Sequence, residues 1–210
     1  MLWPDLNLSG NNGNMDKTHL IFERVDNVAS LSNFNCGYTP IDSFIHDKEK
    51  GLERYVTSGL TALWVVKAED LPVAIFALSK ASLILNSFDN QVLQRDGVKI
   101  DQDIFDTKDS YPAVEIDYLA VDENWRNKGL GEHIISKIYE QCLRDRLSAT
   151  MFITVEAIDT GDYSAVGFYK KCGFKESEYA INKRLSNFNF TGSQSLTKRM
   201  YLHLSSHFIE

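Results

Sequence analysis

Cysteine is scarce. The 210 residues hold three, Cys36, Cys142 and Cys172, an odd number without a C-x-x-C pair. That argues against a disulfide framework and a structural zinc site, and for a reducing compartment, the cytoplasm. Long apolar runs are missing too: TALWVV and VAIFAL fall far short of the roughly 20 residues a membrane helix needs, so no bilayer-spanning segment is expected. Positive charge is in deficit, with 22 Lys and Arg against 29 Asp and Glu and a net charge of -7. Such a balance works against a general nucleic-acid binder, which needs cations to displace phosphate counterions. The five histidines have no metal-ligand spacing, so no metal is expected.

What is present is an ordinary globular composition, 43% hydrophobic and 24% charged, at a length suited to one domain over residues 15–210. Residues 1–14, MLWPDLNLSGNNGN, are rich in Asn and Gly, lack a signal peptide's pattern, and read as an extension without function. HLIFERV reads as a strand. TPIDSFIHDKEKGLERYV opens as a helix, with Thr39 as N-cap, Pro40 at the first helical position and Asp42 in the first turn; Gly51 is a candidate break. LTALWVVKA and LPVAIFALSKA flank the turn Glu69-Asp70-Leu71-Pro72 and read as an antiparallel hairpin. Residues 86–112 show no periodicity and collect six aspartates, which suggests an acidic insertion. AVEIDYLAV (113–121) is a central strand, followed by a glycine loop and a helix to about Arg146. TMFITVEA is a buried strand, YSAVGFYKKC a short helix closed by Gly173, and SLTKRMYLHL a last strand. The order indicates an α/β (α+β) domain around a mostly antiparallel mixed sheet flanked by helices.

The glycine loop is WRNKGLG. Glycines let backbone approach a ligand closely, and the N-H groups at a helix start, with its partial positive charge, form an anion site. Two phosphate loops are excluded: G-x-G-x-x-G would need a third glycine at Ile134, and no Gly-Lys-Ser/Thr follows. What remains is Arg126-x-x-Gly129-x-Gly131 directly after a strand, with Lys128 inside, an arrangement that suits a pyrophosphate. A second motif, AVGFYKKCGF, stands at 165–174.

Together the two motifs make the chain resemble the GNAT superfamily of acetyl-CoA-dependent N-acetyltransferases. The signature Q/R-x-x-G-x-G/A is matched by Arg126 to Gly131. The signature A-x-x-F/L-Y-x-x-x-G-F is matched by Ala165, Phe168, Tyr169, Gly173 and Phe174. The resemblance implies a GNAT-like domain in which Leu119, Ala120 and Val121 present strand backbone to the pantetheine arm. It further implies that Arg126, Asn127, Lys128, Gly129, Leu130 and Gly131 hold the pyrophosphate of acetyl-CoA. The family often has Asn where this chain has Asp162.

Acetyl transfer requires a neutral amine and a proton for the departing thiolate, and a lysine-like amine with pKa about 10.4 calls for a general base. Glu115 and Asp117 lie two apart on a strand and so on one side of the sheet. Glu115 is the first choice for base, also by its distance to the loop glycine in the family, and Asp117 the alternate. The competing reading is that either pairs with a cation or faces solvent. Tyr169 is implied as the acid, with a packed core aromatic as its alternative and Phe168 as a core residue. Cys172 reads as a buried packing cysteine and His133 as a residue on a helix face.

FNCGYTPIDSFI (34–45) is similar to the opening of toxin-type GNAT proteins, which acetylate aminoacyl-tRNA and pair with an antitoxin. An α-amino group, with pKa near 8, could react with Tyr169 alone. The candidate tRNA face is Lys183, Arg184, Lys198 and Arg199, for which a charged hairpin edge is the stronger reading. The expectation is an enzyme that moves acetyl from acetyl-CoA to a primary amine of a small molecule or protein in a ternary complex. The alternatives are the tRNA-acetylating toxin, second because of the acidic charge, and a non-catalytic CoA-binding or interaction module. The insertion and a spare strand edge suit a homodimer.

Overall fold

The computed structural model describes residues 19–98, 102–105, 107–108, 110–145, 147–180 and 196–204. The N-terminal extension, Lys183 and Arg184 lie outside them. Seven strands are present: β1 (Leu20–Val25), β2 (Ala62–Ala68), β3 (Leu71–Leu83), β4 (Tyr111–Val121), β5 (Phe152–Ile158), β6 (Lys175–Glu176) and β7 (Thr197–His203). Helices are α1 (Thr39–His46), α2 (Leu52–Thr57), α3 (Ser87–Arg95), α4 (Gln102–Phe105), α5 (Leu130–Arg144) and α6 (Val166–Lys171). The sheet order is β1-β2-β3-β4-β5-β7-β6, and the pairs β1/β2, β2/β3, β5/β7 and β6/β7 are antiparallel. This is the mixed α/β architecture expected from the sequence. No described helix is long and apolar enough to cross a membrane.

Contacts divide the chain into two compact units, one of residues up to Ser79 with Ile116–Ser136, the other of Lys80–Glu115 with Lys137 onward. In the first, the hairpin β2/β3 turns at Glu69, which adopts φ 55°, and Trp64 stacks on its cross-strand partner Phe76 at 5.9 Å between ring centroids. Pro72 pairs with Lys67 at a register shift, the kind of place where a strand accommodates a residue without an N-H. The core joins Leu63, Val65 and Ile75 of the hairpin to Ile45 and Leu52 of the helices.

The expected single helix over 39–56 is two helices. Its cap is Tyr38 rather than Thr39, and the break falls at Gly51. A Cβ at Gly51 would stand 2.2 Å from the Phe44 carbonyl oxygen and 2.3 Å from that of Asp47, so only glycine lets the chain fold back this tightly.

In the second unit Phe152, fully buried, meets Tyr111, Tyr201 and His203 edge to face. The stretch read as an aperiodic acidic insertion contributes Leu93, Val98 and Phe105 to the same core. It carries α3, opened by a capping box in which Asn86 accepts from the Phe88 and Asp89 amides while Asp89 accepts from the Asn86 amide. Asp89 is fully buried, and its carboxylate also accepts from the amides of Glu178 and Tyr179 at 2.8 and 3.0 Å. Four amides in two distant segments are thus satisfied by one Asx pair.

Replacing Gly51 by Ala is expected to destabilise the protein by roughly 2 kcal/mol or more, because backbone must move to admit the methyl group. Urea unfolding should show a lower midpoint at unchanged slope. A wild-type midpoint would refute the account of this turn.

Candidate active site

In the first unit β4 leads into α5 through a turn fixed at its start by Asp122, whose side chain accepts from the Asn124 amide at 3.0 Å and whose carbonyl accepts from Trp125 at 2.8 Å. Asn127 and Gly129 then take the left-handed conformation, φ 60° and 80°. Leu130 is buried and anchors the helix, and the Gly129 carbonyl accepts its first bond, from the His133 amide at 3.0 Å. The amides of the first helical turn have no intrahelical acceptor, and the helix dipole is positive there. Where Gly129 would carry a Cβ there is open space within 4 Å. Arg126, Asn127 and Lys128 are exposed around it, with the Lys128 ammonium 5.1 Å from the Trp125 ring centroid. Leu119 and Val121 are half-buried and Ala120 is buried. An exposed turn of this kind, cationic at its rim and bare at its glycine, fits an anionic ligand.

Asp117 in the same unit has both carboxylate oxygens engaged. One accepts from the Thr61 hydroxyl at 2.5 Å, the other from the Ser79 hydroxyl at 2.8 Å. The FNCG segment lies here as well: Phe34 and Cys36 are buried, and the Cys36 amide donates to the Asp42 carboxylate at 2.8 Å. Burial, with the neighbouring Asp42 carboxylate, pushes the Cys36 thiol up to about 11, so it is a neutral packing group at neutral pH. His133 is on α5, its ring edge-on to Phe22 at 5.9 Å.

The second unit carries Glu115, Tyr169 and the cations of β7. Glu115 forms an ion pair with Arg199 at 2.6 Å, and the same guanidinium reaches Glu156 at 3.5 Å and the Thr154 hydroxyl at 3.3 Å. Lys198 pairs with Asp159 at 3.1 Å and lies 3.9 Å from Glu176. The two described members of the expected basic face are therefore neutralised by carboxylates.

Tyr169 is buried on α6, 5% exposed, edge to face with Phe168 and Phe174. Burial above all, with smaller contributions from Tyr163 and Cys172, holds its phenol far above the ordinary tyrosine range, so it can only be a proton donor near neutral pH. The burial order corrects one expectation: Phe168, read as the core residue, is half-buried, while Tyr169 is the buried ring. Cys172 is half-buried rather than buried. Thr61, Ser79 and Arg199 went unnoticed as partners in the sequence because they stand 56, 38 and 84 positions from the carboxylates they bind.

The sequence profile of the acetyltransferase (GNAT) domain matches residues 88–176, a span that holds both signatures. Among curated proteins none matches significantly. Among solved structures, a bacterial toxin is similar over 90% of this chain and 92% of its own, at 15% identity and TM-score 0.63. A Tyr-to-Phe variant of KacT is similar over 89% and 96%, at 15% identity and TM-score 0.63. AtaT complexed with acetyl-methionyl-tRNAfMet is similar over 89% and 96%, at 16% identity and TM-score 0.56. At such identities the likeness is one of fold, and it runs nearly the full length of all three. The chain thus carries an acetyltransferase (GNAT) domain on the fold shared with these structures, the domain of an acyltransferase whose donor is acetyl-CoA.

Proposed function

We propose that the protein acetylates the α-amino group of an aminoacyl-tRNA by direct transfer from acetyl-CoA in a ternary complex, acting in the cytoplasm. The observation that carries this reading is that both strand carboxylates are engaged, Glu115 by Arg199 and Asp117 by Thr61 and Ser79. A site with no unengaged strand carboxylate suits an acceptor that is already partly neutral. At pH 7 roughly a tenth of an amine with pKa near 8 is neutral, against about one part in 2,500 for a lysine-like amine. Likeness of fold to a protein captured with acetyl-methionyl-tRNAfMet supports the same choice.

In this reading the amides and cations of Arg126 to Gly131 hold the pyrophosphate, and the open backbone at Gly129 is where it approaches. Leu119, Ala120 and Val121 offer strand backbone to the pantetheine arm. Acetyl-CoA supplies the activated acetyl thioester. Tyr169 holds its proton at the phenol oxygen and passes it to the departing thiolate.

A second reading, acetylation of a more basic primary amine on a small molecule or protein, draws on the divided allegiance of Arg199. Rotation of its guanidinium toward Glu156 would release Glu115 to act as base.

Replacing Tyr169 by Phe is expected to lower turnover by about 10²-fold or more while calorimetric affinity for acetyl-CoA stays within about twofold. Because its phenol is shifted upward, wild-type turnover should show no loss from Tyr169 ionisation up to about pH 10. Full activity of the Phe variant would remove Tyr169 as the acid.

The acceptor is tested by presenting acetyl-CoA with a set of charged tRNAs and, separately, with lysine-like amines, and following acetyl transfer by mass spectrometry. Transfer to charged tRNA that weakens with added salt is the expected result, and Glu115→Gln should leave it nearly intact. Transfer confined to the basic amines, and lost in Glu115→Gln, would establish the second reading instead. Binding of CoA with no turnover on any acceptor would mark a non-catalytic module.

A further inference from the structure

Assigning the glycine loop to the pyrophosphate leaves the FNCG segment without a role, and the first unit places it directly against the approach to that loop. Two hydrogen bonds join Asn35 to Glu123: the Glu123 amide donates to the Asn35 carbonyl at 3.0 Å, and the Asn35 side-chain amide donates to the Glu123 carboxylate at 3.3 Å. Glu123 opens the single turn Glu123–Trp125 that ends at Arg126. The Asn35 side-chain oxygen in turn accepts from the Gly37 amide at 2.9 Å, which bends the chain so that Gly37 takes φ 70°. A Cβ on Gly37 would meet the other Glu123 carboxylate oxygen at 3.2 Å and the Arg126 guanidinium at 3.6 Å.

Gly37 is thus the surface on which Glu123 and Arg126 both rest, and a glycine is required there by conformation as well as by space. The other side of the turn is fixed by the Cys36 amide on Asp42, in the first turn of α1, and by the buried side chains of Phe34 and Cys36. A cation on an exposed loop pays rotamer entropy each time it grips a phosphate. Here its resting place is provided by a turn rooted in the core.

We propose that the Asn35–Gly37 turn is a brace that positions Arg126 for the donor's pyrophosphate, with Asn35, Gly37 and Glu123 as positioning residues. The inference rests on the reading of the loop as the pyrophosphate site. It gives the toxin-like opening a task on the donor side, separate from recognition of the acceptor.

The test is calorimetric titration of acetyl-CoA into the wild type, Asn35→Ala, Gly37→Ala, Arg126→Ala and the double variant Gly37→Ala with Arg126→Ala, each first checked by thermal melting. Asn35→Ala removes the side-chain bond without imposing strain, so it serves should Gly37→Ala fold poorly. Both brace variants are expected to bind on the order of tenfold more weakly, the scale of a lost bond to a charged group. The double variant should bind no more weakly than Arg126→Ala alone, since a brace has no effect once its cargo is gone. A general structural weakening would not produce that cancellation. Wild-type affinity in the brace variants beside a loss in Arg126→Ala would overturn the brace and leave the loop reading intact, as would additive losses in the double variant. Wild-type affinity in Arg126→Ala would overturn the loop reading and the brace together.

Discussion

The turn from β4 into α5 constrains the first unit more than any other feature. A buried strand must become a buried helix within a few residues, and the chain does this by placing Asn127 and Gly129 at positive φ. Such backbone costs roughly 1 kcal/mol or more at a residue with a side chain and little at glycine. What holds it is apolar burial on both sides: Ile116 and Ala120 on the strand, then Leu130, Ile134 and Ile135 on the helix. With both ends packed, the turn has to bulge toward solvent, and its amides face outward. The anion site is therefore a by-product of packing, and the motif residues are those that packing leaves exposed.

Much of this was legible in the sequence because it is local. A strand with period two, a glycine pair and an amphipathic helix specify one another over some thirty residues, and β4, α5 and α6 appear where the pattern indicates. The misreading of residues 86–112 has an equally physical cause. Six aspartates suggest solvent, yet Asp89 is fully buried because it accepts amides from its own helix start and from Glu178 and Tyr179, nearly ninety positions on. The local half of that arrangement, Asn-x-x-Asp before an apolar residue, is a capping box in the sequence; the distant half leaves no local trace.

The candidate site divides along the same line. Alternation along β4 puts Glu115 and Asp117 on one side of the sheet, but nothing near them indicates Arg199, Thr61 or Ser79. Whole-chain charge misleads in the opposite sense. Net charge weighs a solvated acid and a loop cation equally, whereas Lys198 and Arg199 are cancelled by carboxylates and Arg126 and Lys128 stand exposed around one turn. An acidic total is thus compatible with a local anion site, and the sign of the total says little about the acceptor.

Taken together, the ionisable groups describe a site equipped to give a proton and poorly equipped to take one. Tyr169 is kept protonated by burial, while the carboxylates that could serve as bases are held by a guanidinium and two hydroxyls. Catalysis by such a set falls mainly on donor positioning and on thiolate protonation, and the acceptor must bring its own lone pair. Selectivity then follows partly from acceptor basicity: each unit of acceptor pKa above the working pH reduces the reactive fraction about tenfold, before any contact is made. A loop braced for the donor and a site that leaves deprotonation to the acceptor are two halves of one economy, in which the protein orders the thioester and the amine's own chemistry decides how much of it can react.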